Sequence, residues 1–432
     1  MRRPAGFADL AGRRVGVYGF GVEGRAAAER LRVVGADVVV VDDGEVTGAI
    51  PSAEGGHDAL LACEVVLKSP GVPRRRSDVL DLEASGVVVT SALNLWLHDV
   101  DRARVVAVTG TKGKSTTTSL VTFFLSALGE AAQSLGNIGQ PPYATDVDDQ
   151  SGWLVVEVSS FQVVDLDVGP ATVVVTALGS DHLDWHGSLA QYHEDKLSLA
   201  ALPGVQRVYG ADVPGLRAVA DRLNHPTFVG ADDGALTDAL GLIGDHNRSN
   251  VGLALAVAAD LARRPVEEAR AVIGPAAGLF HPLPGRLTVV AREATTEGEV
   301  TFVDDGLATS PLPAVAALAV FADRPVALIA GGFDRGVDYE PLADALAERS
   351  EPTTLVATGD AGRRLSEVVA LRAPRVARTT AASMAEAVAR ARSALGADGV
   401  VLLSPAAPSF DAYRNWEERS ADFRSVVAAR PA

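Results

Sequence analysis

One pattern recurs along the chain: a short valine-rich run, a glycine or acidic stop, then a segment suited to a helix. The runs include VGVYG at 15–19, ADVVVVDD at 36–43, CEVVLKSPGVP at 63–73 and GVVVTSALNLWL at 86–97. They continue with RVVAVTG at 104–110, WLVVEVSS at 153–160 and ATVVVTAL at 171–178. VTFVDD, PVALIAGG, TTLVAT and GVVLLSP follow in the last third. Runs that are apolar throughout suit strands buried on both faces. Between them lie helix-forming stretches such as STTTSLVTFFLSAL, DHNRSNVGLALAVAADLA, PLPAVAALAVFA and AASMAEAVARARSAL. This alternation predicts an α/β protein with parallel sheets and crossover helices.

At 432 residues the chain is long enough for two to four domains. The first should end near residue 100, and the prolines and glycine of FHPLPGRLTVV mark a second break. A net charge of −16 argues against non-specific nucleic-acid binding. The single cysteine, Cys63, excludes an intrachain disulfide framework and reads as a small buried apolar side chain. The N-terminus lacks an apolar region of signal-peptide length, and no apolar run approaches the roughly 20 residues a membrane span needs. The expectation is a cytoplasmic protein with neither nucleic acid nor membrane as partner. Of 39 basic residues only Lys68, Lys112, Lys114 and Lys196 are lysines. A chain that uses arginine elsewhere retains lysine where a compact ammonium or an acylatable amine is useful.

Gly19, Gly21 and Gly24, with Asp42 further on, have the spacing of a dinucleotide-type turn or of a tight turn with no ligand. GTKGKS at 110–115 lacks the first glycine of the full phosphate-loop pattern, because Val108 stands there. Its glycines still let backbone N–H groups approach phosphate, Lys114 adds a point charge, and Ser115 or Thr116 can reach a magnesium ion. Glu157 ends an apolar strand, where a buried carboxylate is costly unless paired or metal-bound. Asp181, His182, Asp184 and His186 cluster after another strand, as metal ligands or as a polar loop, and Lys196 follows in a helix.

Taken together these motifs resemble the Mur ligases, and most closely their glutamate-adding type. The family's short ATP loop matches Gly110–Ser115, with a residue such as Val108 normal before it. E-x-S-S-F-Q matches Glu157–Gln162, GNIG matches Gly136–Gly139, and D-H-x-D matches Asp181–Asp184. H-N-x-x-N matches His246–Asn250, L-P-x-R matches Leu283–Arg286, and GGFDRGVD resembles a further segment. LSPAAPSFDAYRNWEERSADF resembles the C-terminal signature. The resemblance implies three domains: a Rossmann-like UDP-substrate domain at 1–100, a central P-loop ATPase domain at 101–284, and a Rossmann-like C-terminal domain at 285–432.

The implied reaction is ATP-dependent amide formation, in which UDP-N-acetylmuramoyl-L-alanine is phosphorylated on its carboxylate and glutamate attacks the acyl phosphate. Gly110, Thr111, Lys112, Gly113, Lys114, Ser115 and Thr116 would hold ATP, with Asn250, Arg286 and Asp305. Ser115 or Thr116, with Glu157, would hold one magnesium, and His182 with a carbamylated Lys196 a second. Lys114, Lys196 and His182 would be catalytic. Gly19, Gly21, Gly24 and Asp42 would take the UDP group, Asn137 and Ser159 the muramoyl part, and Thr309, Arg335 and Ser409 glutamate. The sequence departs from the D-glutamate-adding pattern at two places: D-S-K-A-T-N reads Asp305-Gly306-Leu307-Ala308-Thr309-Ser310, and L-P-H-R reads LPGR. A branch that adds L-glutamate and works with a partner epimerase has the former kind of segment, which favours L-glutamate, with D-glutamate the alternative. An NAD-dependent oxidoreductase would explain the first glycine turn alone, and a non-catalytic ATP-binding module the second alone.

Overall fold

The computed structural model describes residues 4–179 and 183–429, with the backbone alone at Leu183 and Asp184. The described residues form three sheets. The first is all parallel: β1 (Arg14–Tyr18), β2 (Asp37–Asp42), β3 (Ile50–Pro51), β4 (Val65–Lys68) and β5 (Val88–Thr90), in the order β3-β2-β1-β4-β5. The second is parallel too: β6 (Val105–Thr109), β7 (Ala132–Gly136), β8 (Trp153–Glu157), β9 (Thr172–Val175), β10 (Arg207–Ala211) and β11 (Thr227–Val229). Its order, β11-β10-β9-β6-β8-β7, puts the phosphate-loop strand β6 in the interior.

The third sheet contains β12 (Thr288–Ala294), β13 (Glu299–Asp304), β14 (Val326–Gly331), β15 (Thr353–Thr358), β16 (Ala377–Ala381) and β17 (Gly399–Leu403), in the order β12-β13-β17-β14-β15-β16. It is parallel except at one edge, where β12 and β13 form an antiparallel hairpin interrupted by a bulge between Val289 and Ala291. A helix of 17 residues, Asp245–Leu261, realises the expected DHNRSN segment.

The valine runs are continuous because both faces of each strand are covered. On β1, Val15 and Val17 join one core while Tyr18 joins another on the opposite face. The same division separates Val303, Leu328 and Leu402 from Phe302, Ile329 and Leu403 in the third sheet. Such period-two burial on both sides leaves no polar face to mark the strands as amphipathic.

The chain falls into two compact units, one comprising residues up to Asp233 with His246–Ala276, the other Gly234–Asp245 with the residues from Ala277 on. In the first unit one core runs through both sheets, from Val15, Leu67 and Trp96 to Val105, Val156 and Val175. Among the described residues no helix is long and apolar enough to cross a membrane.

Candidate functional site

The turn after β1 is held by side chains from the ends of two neighbouring strands. Gly19 has φ +90°, and Ser69 Oγ donates to its carbonyl at 2.6 Å. Gly24, inside the helix Val22–Val33, packs so closely that a Cβ there would lie 1.9 Å from the Gly19 carbonyl oxygen. Asp42, at the end of β2, accepts from the N–H groups of Phe20 (2.6 Å) and Gly44 (2.9 Å). Its carboxylate therefore shapes the turn. Gly19, Gly21, Gly24, Asp42, Asn137 and Ser159, all expected to bind one substrate, line a single cleft of about 440 Å³. Phe161 and the Ser69–Val72 loop also line it. Sequence reasoning gave those no role, although SPGV directly follows a buried strand. Glu23 sits beneath, accepting from Tyr143 Oη (2.7 Å) and Gln162 Nε2 (2.6 Å), and burial raises its pKa.

The phosphate-type loop lies between β6 and the helix Lys114–Ala127. Val108 is a fully buried strand residue paired with Glu157 and Val174, which is why no glycine is needed there. Gly110 (φ +144°) has no room for a side chain, since a Cβ would meet Thr176 Oγ1 at 2.1 Å. Gly113 (φ +86°) caps the helix and is covered by Asn250, whose Oδ1 would lie 2.4 Å from a Cβ. Asn250 also accepts from Thr117 Oγ1 at 3.3 Å. Thr111 donates its N–H to Ala177 O (2.7 Å), and its hydroxyl meets Tyr192 Oη and Gly179 N. Lys112 is exposed, Thr116 half-buried and Ser115 buried. Lys114 Nζ lies over the loop, 3.0 Å from Gly110 O. The loop thus ends at a helix N-terminus with a cation beside it.

Glu157 is buried, and one of its oxygens, Oε1, accepts from Asn137 Nδ2 at 2.9 Å. Its other oxygen, Oε2, is buried with no hydrogen-bond partner among the described residues. A buried carboxylate oxygen in that state suits a cation, and Ser115 is buried on the neighbouring helix. Asn137 thereby links the cleft to Glu157, which pairs with Val108 of the strand leading into the loop.

Lys196 is buried as well and donates to the same Gly110 carbonyl at 2.9 Å, with its ammonium 5.0 Å from the Tyr192 ring centre. His182 and Asp181 fall outside the described residues, as does the side chain of Asp184. Of that cluster His186 is described, and both its ring nitrogens are engaged, by Asp195 (2.7 Å) and Ser160 (3.0 Å). Among the described residues there is no group of three or more acids, histidines or cysteines able to hold a metal.

In the second compact unit Asp305 follows β13 and accepts from Ser404 Oγ at 2.8 Å. Burial pushes its pKa up to about 7, against the opposing effects of Ser404 and the Leu287 backbone, and the Arg286 charge lies near enough to lower it. Thr309, Arg335 and Ser409 lie on the loops after β13, β14 and β17, three adjacent strands. Ser409 is buried, Thr309 half-buried, and Arg335 exposed with its guanidinium 5.8 Å from the Phe410 ring centre. The two departures from the D-glutamate pattern meet in space. Leu307 N donates to Gly285 O at 3.1 Å, and Gly285 (φ +69°) is covered by Trp416, whose ring a Cβ would approach to 2.5 Å. Trp416 was missed in the sequence, because nothing local ties it to LPGR.

Residues 108–226 match the model of the Mur ligase middle domain. The chain is 42% identical to the UDP-N-acetylmuramoyl-L-alanine–L-glutamate ligase of Micromonospora sp., over 97% of each chain. It is 40% identical to the ligase of the same name from Salinispora tropica, over 97% of this chain and 98% of that one. Among solved structures it resembles a UDP-N-acetylmuramate-alanine ligase from Thermotoga maritima, with TM-score 0.57, 16% identity and coverage of 96% and 99%. A pseudomurein peptide ligase type C from Methanothermus fervidus gives TM-score 0.53 at 15% identity, covering 96% of this chain and 99% of that one. The chain belongs to the Mur ligase family. It is an ATP-dependent ligase that forms amide bonds.

Proposed function

We propose that this ligase joins L-glutamate to UDP-N-acetylmuramoyl-L-alanine during peptidoglycan precursor synthesis in the cytoplasm. The observation that carries the reading is the shared cleft: the glycine turn of the first sheet and Asn137 and Ser159 of the second line one cavity. Asn137 also touches the Glu157 carboxylate beside the phosphate loop. A muramoyl substrate anchored at its diphosphate would then present its carboxylate toward ATP. The names of the two relatives support the substrate pair.

In this reading the substrate carboxylate oxygen bonds to the γ-phosphorus as the bond to ADP breaks. The amine of glutamate then adds to the acyl carbon, and the tetrahedral intermediate expels phosphate. Lys114 holds the phosphate oxygens as negative charge moves from γ to β, where a fixed cation lowers the barrier. Ser115 and Glu157 would hold one magnesium ion, and His182 with a carbamylated Lys196 a second. Magnesium, when bound, neutralises phosphate charge that the one ammonium does not. Asn250 keeps the loop in shape, and Arg286 with Asp305 would meet the nucleotide. Three separate segments supply polar groups for glutamate: Thr309, Arg335 and Ser409.

The L-isomer is favoured by the two departures, Leu307 in place of a lysine and Gly285 in LPGR, which lie together because Leu307 N donates to Gly285 O. A site built for one arrangement of two carboxylates leaves polar groups unpaired with the other isomer, at about 1–3 kcal/mol for each. A product ending in L-glutamate would pass to a partner epimerase. Phosphate release is expected only with ATP, UDP-N-acetylmuramoyl-L-alanine and glutamate together, with kcat/KM for the L-isomer at least about ten-fold higher. A preference for D-glutamate would return the chain to the D-adding reaction. Release with neither isomer would remove glutamate from the reading.

A further inference from the structure

We propose that Arg419 is a positioning residue that holds the amino-acid pocket together, a role resting on the glutamate reading above. Arg419 lies in the helix Trp416–Ala428, which starts at an Asn415 cap, and it is only 4% exposed. Its Nη2 donates to Gly306 O and to Ala407 O, each at 3.1 Å, and its Nη1 approaches Gly331 O at 3.4 Å. Gly306 and Ala407 follow β13 and β17 while Gly331 ends β14, and each precedes a proposed glutamate contact by a few residues: Thr309, Ser409 and Arg335 in turn. One planar guanidinium thus reaches all three loops, whose strands are neighbours in the sheet.

The loops are ones that need holding. Ala406 has φ +56°, a left-handed conformation that disfavours a residue with a Cβ. The adjacent carbonyl is one that Arg419 binds. Gly332 is closed in by Pro408 O and Arg419 Nη1, which a Cβ would approach to 2.2 and 3.1 Å. Ser420, next in the helix, donates to Asp304 Oδ1 at 2.8 Å, and Arg424 reaches Asp304 Oδ2 at 2.7 Å. The helix therefore stays fastened to β13 through Asp304 when Arg419 is changed. Burial lowers the pKa of Arg419 to about 10, which leaves it charged at neutral pH. Charge-assisted donors of this kind, directed in a fixed fork, are what a lysine at the same place would lack.

The test compares the KM for each of the three substrates in wild type, Arg419→Ala and Arg419→Lys. Arg419→Ala is expected to raise the KM for the amino acid about 10- to 100-fold, while those for ATP and the muramoyl substrate change by less than about three-fold. Added guanidinium chloride, below denaturing concentration, should recover part of the loss. Arg419→Lys should fall between the two, and it serves if the alanine variant does not fold. An unchanged KM for the amino acid in either variant would overturn the proposal. So would an equal rise in all three KM values without guanidinium recovery. Wild type is first offered a panel of amino acids. If it joins one other than glutamate, the glutamate reading fails, while the effect of Arg419 on the KM of that amino acid still decides the positioning role.

Discussion

Two strand-to-helix turns of the first compact unit, one after β1 and one after β6, share a backbone plan and differ in charge. Both place glycines at positive φ before a helix N-terminus, and both forbid side chains at the closest approach, Gly24 to Gly19 O in one and Gly110 to Thr176 in the other. The residues lining the cleft at the first turn include Glu23, Asp42 and Asp43, and no lysine or arginine. The second turn carries the ammonium of Lys114. A diphosphate that is only held can be met by backbone N–H groups, whereas a phosphoryl group in transfer redistributes charge and calls for a cation in place beforehand.

If that division is right, Lys114→Ala should be the most damaging change, lowering kcat at least about a thousand-fold with little effect on the KM for the muramoyl substrate. Steady-state phosphate release measures both, and near-normal kcat would erase the distinction between the turns. Gly24→Ala should act in the opposite manner. Its Cβ would overlap the Gly19 carbonyl, so a loss of about 1–3 kcal/mol in stability and a raised KM for the muramoyl substrate are expected. Chemical denaturation and initial rates together report that pair.

A third turn, after β13, has an acid where the second has a base. The Asp305 pKa of about 7 lies above the ordinary 3.8, so the folded chain keeps a proton that the unfolded chain has lost in the interval. Stability from this group is greatest at low pH and falls as pH rises from about 4 to about 7. Asp305→Asn should therefore match wild type in melting temperature near pH 4 and exceed it by about a few degrees at pH 8. Equal melting curves at both pH values would count against the protonated acid. Smallest of all should be Gly21→Ala. Gly21 has φ −72° and open space around its Cβ position. Its stability should stay within about 0.5 kcal/mol of wild type, and any change should appear only as a weaker muramoyl substrate.

What could be read in the sequence was what neighbours in sequence decide. The strand runs, the phosphate loop and the helix of DHNRSN came from local pattern, and the six cleft positions came from motif matches that the fold then brought together. The antiparallel β12–β13 hairpin was not foreseen, because REATTEGEV has no tight-turn signature and its strand lies where the prolines of FHPLPGR suggest a break. Gly234–Asp245 packs with the second unit although it precedes the long helix of the first. Trp416 over Gly285 and Arg419 on the Gly306 carbonyl involve residues more than a hundred positions apart in the chain, beyond any local pattern. The D-H-x-D segment, legible as a motif, lies largely outside the described residues.

The unbroken core of the first unit also bears on the order in which the protein can be made. Val15, Leu67, Leu95 and Trp96 belong to the same buried cluster as Val156, Val173 and Val175. A ribosome delivers the first sheet before the central strands of the second, and at about 5–20 residues per second the wait is on the order of ten seconds. For that interval the nascent first sheet has an apolar face without its cover. The chain emerging from the ribosome is thus a client for whatever shields hydrophobic surface during synthesis, and cutting it near residue 100 would make that passing exposure permanent.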